Sequence, residues 1–136
     1  MRLMRRLALW LPAGVYMLLI FHFSSQTDPF PSVTDAVWDK ALHFSEYAGL
    51  ALLLGRAFSG EGCSARTALV LGALTASLYG LTDETHQSLV EGRQADVRDW
   101  LGDTVGGTSG AALYAAAKRV RSSRGPSASR PDASAR

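Results

Sequence analysis

Residues 7–23 read LALWLPAGVYMLLIFHF, a run with no formal charge apart from whatever His22 holds. Residues 67–81, TALVLGALTASLYGL, carry none at all. A spanning helix needs roughly 20 mostly apolar residues, with about 17 as the lower limit. An amphipathic helix on a soluble core would show a charged stripe on its far face, and neither run has one. These two runs decide the fold: they predict membrane helices in a chain whose averages look soluble. Hydrophobic residues make up 47% of the 136 and charged residues 19%, with a mean hydropathy of +0.05. The average hides the pattern, because the polar residues are grouped in blocks.

Working outward, the segment Met1–Arg6 is basic and precedes the first run. A cleaved leader would begin the same way, but this apolar run is longer than a usual leader core and no A-x-A site follows it. Residues 7–24 are therefore read as a retained helix with Pro12 near its start, where a kink is expected. Pro29 and Pro31 punctuate a polar loop over 25–37. A second helix is expected from Ala36 to Phe58, polar in its first turns and apolar in its last. The Gly/Ser turn 59–65 leads to a third helix over Arg66–His86. After the polar loop 87–98, a fourth helix is expected over Asp99–Arg119. The Ser/Pro/Arg-rich segment 120–136 reads as a disordered basic tail. One domain, 7–119, thus lies between a basic segment 1–6 and that tail. The fourth helix has Gly102, Gly106 and Gly110 at intervals of four, and the second has Ala41, Ser45 and Gly49. Such rows let helix backbones approach closely in a membrane.

Charge sets the orientation. Cytoplasmic loops of membrane proteins carry excess Lys and Arg. With four spans and both termini cytoplasmic, eleven of the 14 Lys and Arg fall inside; Lys40, Arg93 and Arg98 fall outside. The 12 acids divide the other way, with only Glu61 and Asp132 inside. A three-span arrangement would put the basic tail outside and destroy this asymmetry. The expected fold is an all-α, polytopic four-helix transmembrane bundle of the bacterial plasma (inner) membrane, with the lipid bilayer as its surroundings. Trp10, Trp38 and Trp100, near helix ends, are expected as interfacial anchors. The single cysteine, Cys63, excludes an internal disulfide and Cys-based zinc motifs. The net charge of +2, scattered over loops and tails, gives no nucleic-acid surface.

In this topology the polar ends of all four helices meet at the outer face. Asp39, His43 and Glu46 fall at intervals of four and three and share one face, with Tyr47 beside it. Asp83 and His86, and Glu84 and Gln87, are paired three apart, and Asp99 and Asp103 lie one turn apart. Ionisable groups are costly in a bilayer, so these should pair with one another or line a wet cavity. Three readings stay open: a lattice of hydrogen bonds tying helix ends together; a divalent metal site with His43, Glu46, Asp83 and His86 as candidate ligands; and an acid/base site. In the last, His43, Glu46, Glu84, Gln87 and Asp99 would do the chemistry, with Arg93, Lys40 and Tyr47 holding a substrate head group. Ser24, Ser25 and Gln26 are read as capping groups.

Taken in order, these motifs resemble the VanZ-like family of membrane proteins. The resemblance rests on Ser24-Ser25-Gln26, Asp39-Lys40-x-x-His43-Phe44-x-Glu46-Tyr47 and Leu50, then Tyr79-Gly80-x-x-Asp83-Glu84-x-His86-Gln87. It continues through Gly92-Arg93 and Asp96-x-x-Asp99-x-x-x-Asp103-x-x-Gly106 to Gly110. It covers residues 7 to about 118. The chain departs from the pattern at Glu91, where the family often has Pro, and at Asp103, where it often has Asn. The family's founding member is linked to low-level resistance to the glycopeptide antibiotic teicoplanin. The resemblance therefore implies action on an envelope lipid, a cell-wall precursor or an amphiphilic glycopeptide, and leaves open whether by catalysis or binding. The competing reading is a non-enzymatic membrane scaffold or a small transporter. The apolar centres of helices one to three count against transport by a monomer, since transporters place ionisable residues near midplane.

Overall fold

The computed structural model describes residues 1–27 and 36–123, without the side chains of 36–39. The described residues form four helices and no strands: α1 (Arg2–Ser24), α2 (Ala36–Gly60), α3 (Ala65–Gln87) and α4 (Val97–Ser123). Among the described residues, α1 alone is long and apolar enough to be a candidate membrane span. The loop 28–35, the side chains of Trp38 and Asp39, and the tail beyond Ser123 lie outside the described residues.

Two boundaries differ from expectation by more than two residues. Helix α1 begins at Arg2, because the basic segment continues the first turns and ties down the far end of the bundle. Arg5 donates to the Gly60 carbonyl and Arg6 pairs with Glu61 at 3.3 Å. Helix α4 continues to Ser123, four residues beyond the expected Arg119, so residues 120–123 belong to the helix and not to the tail. Its last turns are fixed where Lys118 donates to the Cys63 carbonyl at 3.0 Å. An open groove of about 610 Å³ at this end is lined by Arg56, Lys118 and Arg121 among others.

Pro12 sits inside α1 without ending it. A proline has no N–H to give to the carbonyl four residues earlier, which here is that of Ala8. The Arg56 guanidinium supplies the missing donor: its Nη2 lies 3.2 Å and its Nη1 3.3 Å from the Ala8 oxygen. Arg56→Met keeps the aliphatic stem and removes the donors. It should destabilise the protein by about 0.5–1.5 kcal/mol, the net worth of a hydrogen bond at an exposed position. Thermal unfolding in detergent measures this, and an unchanged midpoint would refute the assignment.

Helix α4 packs against α2 and α3, while α1 rests against α2 and α3 and does not reach α4. The glycines explain the closest of these approaches. A Cβ on Gly106 would collide with the Phe44 carbonyl oxygen, and one on Gly110 with that of Ala48. Gly102 continues the row more loosely, 3.9 Å from the Lys40 oxygen. Each step of four on α4 therefore meets a step of four on α2. On the next face, a Cβ on Gly107 would sit 2.9 Å from Ala76 of α3. Of the row expected on α2, Gly49 instead faces α1, where its missing Cβ makes room for the Tyr16 hydroxyl.

The distribution of side chains is inverted relative to a water-soluble bundle. The interior holds Tyr47, Leu50 and Leu54, but also Ala51, Ala57, Ala68, Ala76, Ala111 and several acids. The outside carries leucine and valine in helical rows. Val70, Leu74 and Leu78 of α3 are 45%, 55% and 63% exposed, and Leu7, Leu11, Val15 and Leu18 form a similar row on α1.

Candidate functional site

The polar residues collect at the end opposite the basic groove, where α1 stops, α2 and α4 begin and α3 ends. Helical spacing presents them inward. His43 on α2, Asp83, Glu84 and Gln87 on α3, and Asp99 and Asp103 on α4 are all buried. Glycine makes the room: a Cβ on Gly80 would lie 2.8 Å from Asp103 Oδ2, so the carboxylate occupies the space an alanine would fill.

At the centre, His43 Nδ1 lies 2.9 Å from Asp103 Oδ1. Asp103 is fully buried, and its second oxygen has no hydrogen-bond partner. Glu84 accepts the Asp96 backbone N–H on Oε2 at 2.9 Å, while its buried Oε1 has no partner. Lys40 reaches in from the rim to Asp99, and its ammonium lies 3.7 Å from Asp96. The Arg98 backbone N–H donates to Asp96 and, with Lys40 beside it, holds that carboxyl below the usual carboxylate range. One ligand atom from each of His43, Glu84 and Asp99 lies within 4.8 Å of the other two. Three helices thus deliver an imidazole and three carboxylates to one small volume.

A second set forms the wall toward α1. Ser24 Oγ donates to Asp83 Oδ1 at 2.6 Å. Gln87 donates to Asp83 Oδ2 at 3.0 Å and accepts from Arg93 Nη2 at 2.6 Å. Ser25 Oγ lies 3.0 Å from His86 Nε2, and the His86 ring packs on Phe21 at 4.4 Å. The loop after α3 is closed by Gly92, whose φ of +80° is natural for glycine, and by Thr27 donating to the Glu91 carbonyl at 3.1 Å.

Of the expected site residues, His43, Glu84, Asp99 and Lys40 meet in the central cluster, and Gln87 and Arg93 are bonded to each other in the wall. Glu46 is half-buried and is felt electrostatically by Tyr16 of α1. Tyr47 is fully enclosed, its ring 6.3 Å from that of Tyr79 and its hydroxyl without a hydrogen-bond partner. It is thus part of the floor and has no exposed surface. Of the expected metal ligands, Asp83 and His86 bond to α1, and it is Glu84 and Asp99 that approach His43. Trp100 donates to the Ser77 carbonyl at 3.1 Å, in the seam between α3 and α4. Trp10 donates to Glu61 at 3.2 Å. Four residues of the site were not assigned a role in it from the sequence: Asp96, Asp103, Ser24 and Ser25. For Asp103 the signal was its place one turn after Asp99. For Ser24 there was none beyond its motif.

Neither the curated proteins nor the solved structures include one that matches this chain. The model of the VanZ/LLP1 family does match, over residues 2–118, which takes in all four helices except the last turn of α4 and every residue of the site. With nearly the whole helical bundle covered, the chain belongs to the VanZ/LLP1 family.

Proposed function

We propose that this protein is a multi-pass protein of the bacterial plasma membrane whose polar end faces outward and receives the head group of an envelope amphiphile. That amphiphile is an envelope lipid, a cell-wall precursor or a glycopeptide such as teicoplanin. The observation that carries the reading is the buried cluster of His43, Glu84, Asp99 and Asp103, with Lys40 and Arg93 at its rim. Membership of the VanZ/LLP1 family supports it. So does the inverted packing, because leucine rows turned outward suit hydrocarbon while small residues suit close helix contact inside it. All four helices exceed the roughly 20 residues needed to span. On the positive-inside rule the basic groove and basic first turns belong to the cytoplasmic side and the acid-rich end to the outside. There Arg93 and Lys40 are the groups to meet a phosphate or carboxylate, and His43 and Glu84 the groups to exchange a proton with it.

The test has two parts. An impermeant amine reagent on intact cells should label Lys40, and a cysteine introduced in the 87–98 stretch should react with an impermeant maleimide. Protection until the cells are opened would reverse the topology. Mass spectrometry of detergent-purified protein should then find a co-purified amphiphile whose occupancy falls in Arg93→Gln and Glu84→Gln. Equal occupancy in correctly inserted variants would remove the site from the reading.

A further inference from the structure

We propose that His43, Glu84 and Asp99 bind one divalent transition-metal ion of the zinc class. The inference deepens the head-group site and rests on that reading of the cluster as a working site. Ligand atoms about 2.0–2.2 Å from a tetrahedral zinc stand about 3.4 Å from each other. The three donors here lie within 4.8 Å of one another, so an ion would draw them together by up to about 1.4 Å. They arrive on three different helices, α2, α3 and α4, whose positions are set by the glycine contacts described above.

Two independent observations point to an ion at this place. The first is Glu84, which is 4% exposed and keeps one carboxylate oxygen, Oε1, buried without a partner. An unpartnered carboxylate oxygen costs free energy that a cation removes. The second is the bond from His43 Nδ1 to Asp103 Oδ1 at 2.9 Å. A carboxylate behind the imidazole is the usual support of a metal-bound histidine: it fixes the Nδ1–H tautomer and leaves the lone pair on Nε2. One nitrogen and two oxygens favour zinc or manganese over magnesium and calcium, which take all-oxygen shells. Lys40 is the competing cation. Its ammonium meets Asp99 and has Asp96 3.7 Å away, so an ion arriving at Asp99 releases Lys40 to Asp96.

Such an ion would serve the site as a Lewis acid toward a phosphate or carboxylate oxygen of the head group, with Arg93 at the rim.

The experiment uses the full chain in detergent, stripped with a chelator, and zinc chloride alone as the probe. Elemental analysis after desalting should find one equivalent of zinc per chain, and titration calorimetry a single site. Glu84→Gln should abolish stoichiometric binding. Asp103→Asn, which replaces none of the three ligands but alters the support behind His43, should weaken it about 10–100-fold, as loss of an outer carboxylate does. Lys40→Met should tighten it by removing the competitor. Folded wild-type protein that retains no zinc, or Asp103→Asn and Lys40→Met variants with unaltered affinity, would overturn the proposal. The outcome separates from that of the head-group reading. Zinc binding with no co-purified amphiphile sinks the earlier reading alone, and a co-purified amphiphile on a zinc-indifferent protein sinks this one alone.

Discussion

Gly110→Leu is expected to abolish the folded bundle. Even the first atom of a new side chain at this position would occupy the space of the Ala48 carbonyl oxygen, which is backbone and cannot rotate away. Helices α2 and α4 would have to separate, and with them His43 and the Asp99–Asp103 face of α4. Gly110→Ala should cost about 1–3 kcal/mol, the usual range for overpacking, and leucine more, because its branches have no pocket to enter. Gly106→Ala should behave alike against the Phe44 carbonyl. Gly102→Ala is the control: its Cβ would lie 3.9 Å from the Lys40 oxygen, an ordinary contact, and alanine is the better helix former by about 1 kcal/mol. Thermal unfolding in detergent, followed by tryptophan fluorescence, should rank Gly102→Ala at or above wild type, then Gly106→Ala and Gly110→Ala, with Gly110→Leu failing to give a monodisperse protein. A fully stable Gly110→Leu would mean that α2 and α4 do not pack through this row.

The same row explains what could be read in the sequence and what could not. The glycines at intervals of four announce a helix face that a neighbour approaches closely, but not which neighbour. Ala41, Ser45 and Gly49 form a similar row on α2, yet the α4 glycines face the backbone at Lys40, Phe44 and Ala48. That offset of one residue fixes the rotation of α2. The rotation in turn brings His43 to Asp103 and leaves Glu46 on the side toward α1 and Tyr16. Spacing along one helix identifies a shared face, so the inward pairing of Glu84 with Gln87 and of Asp99 with Asp103 was legible. Partner choice across helices depends on rotation and register, so the diversion of Asp83 to Ser24 and of His86 to Ser25 was not. The helix ends were misjudged for a related reason. Charges at 2–6 and beyond 119 read as flanking segments, but Arg5 reaches the Gly60 carbonyl from within α1, and α4 continues past Lys118, which reaches that of Cys63.

Removing the His43 imidazole is expected to destabilise the protein more than any other single change to the polar cluster. His43→Ala leaves Asp103 fully buried, with neither oxygen bonded to a neighbour's side chain. Stranding a buried carboxylate without its donor carries the desolvation penalty of a group that can be charged, more than the about 1–3 kcal/mol of a neutral one. Asp103→Ala leaves the His43 Nδ1–H without its acceptor and should cost about 1–3 kcal/mol. Asp103→Asn should be nearly harmless to folding. The amide oxygen still accepts from Nδ1, and the amide nitrogen replaces the one carboxylate oxygen that has no partner in any case. This agrees with the resemblance noted in the sequence, where asparagine often stands at that position. The fold thus requires an acceptor at 103, and only a further role of the site would require an acid. A double-mutant cycle with His43→Ala and Asp103→Ala, read by chemical or thermal unfolding, should return a coupling of about 0.5–3 kcal/mol. The double variant should unfold less readily than the sum of the two single losses predicts, because neither partner is then stranded. Strict additivity would show that the two side chains do not meet. Equal losses in Asp103→Asn and Asp103→Ala would show that the charge, and not the hydrogen bond, holds His43 in place.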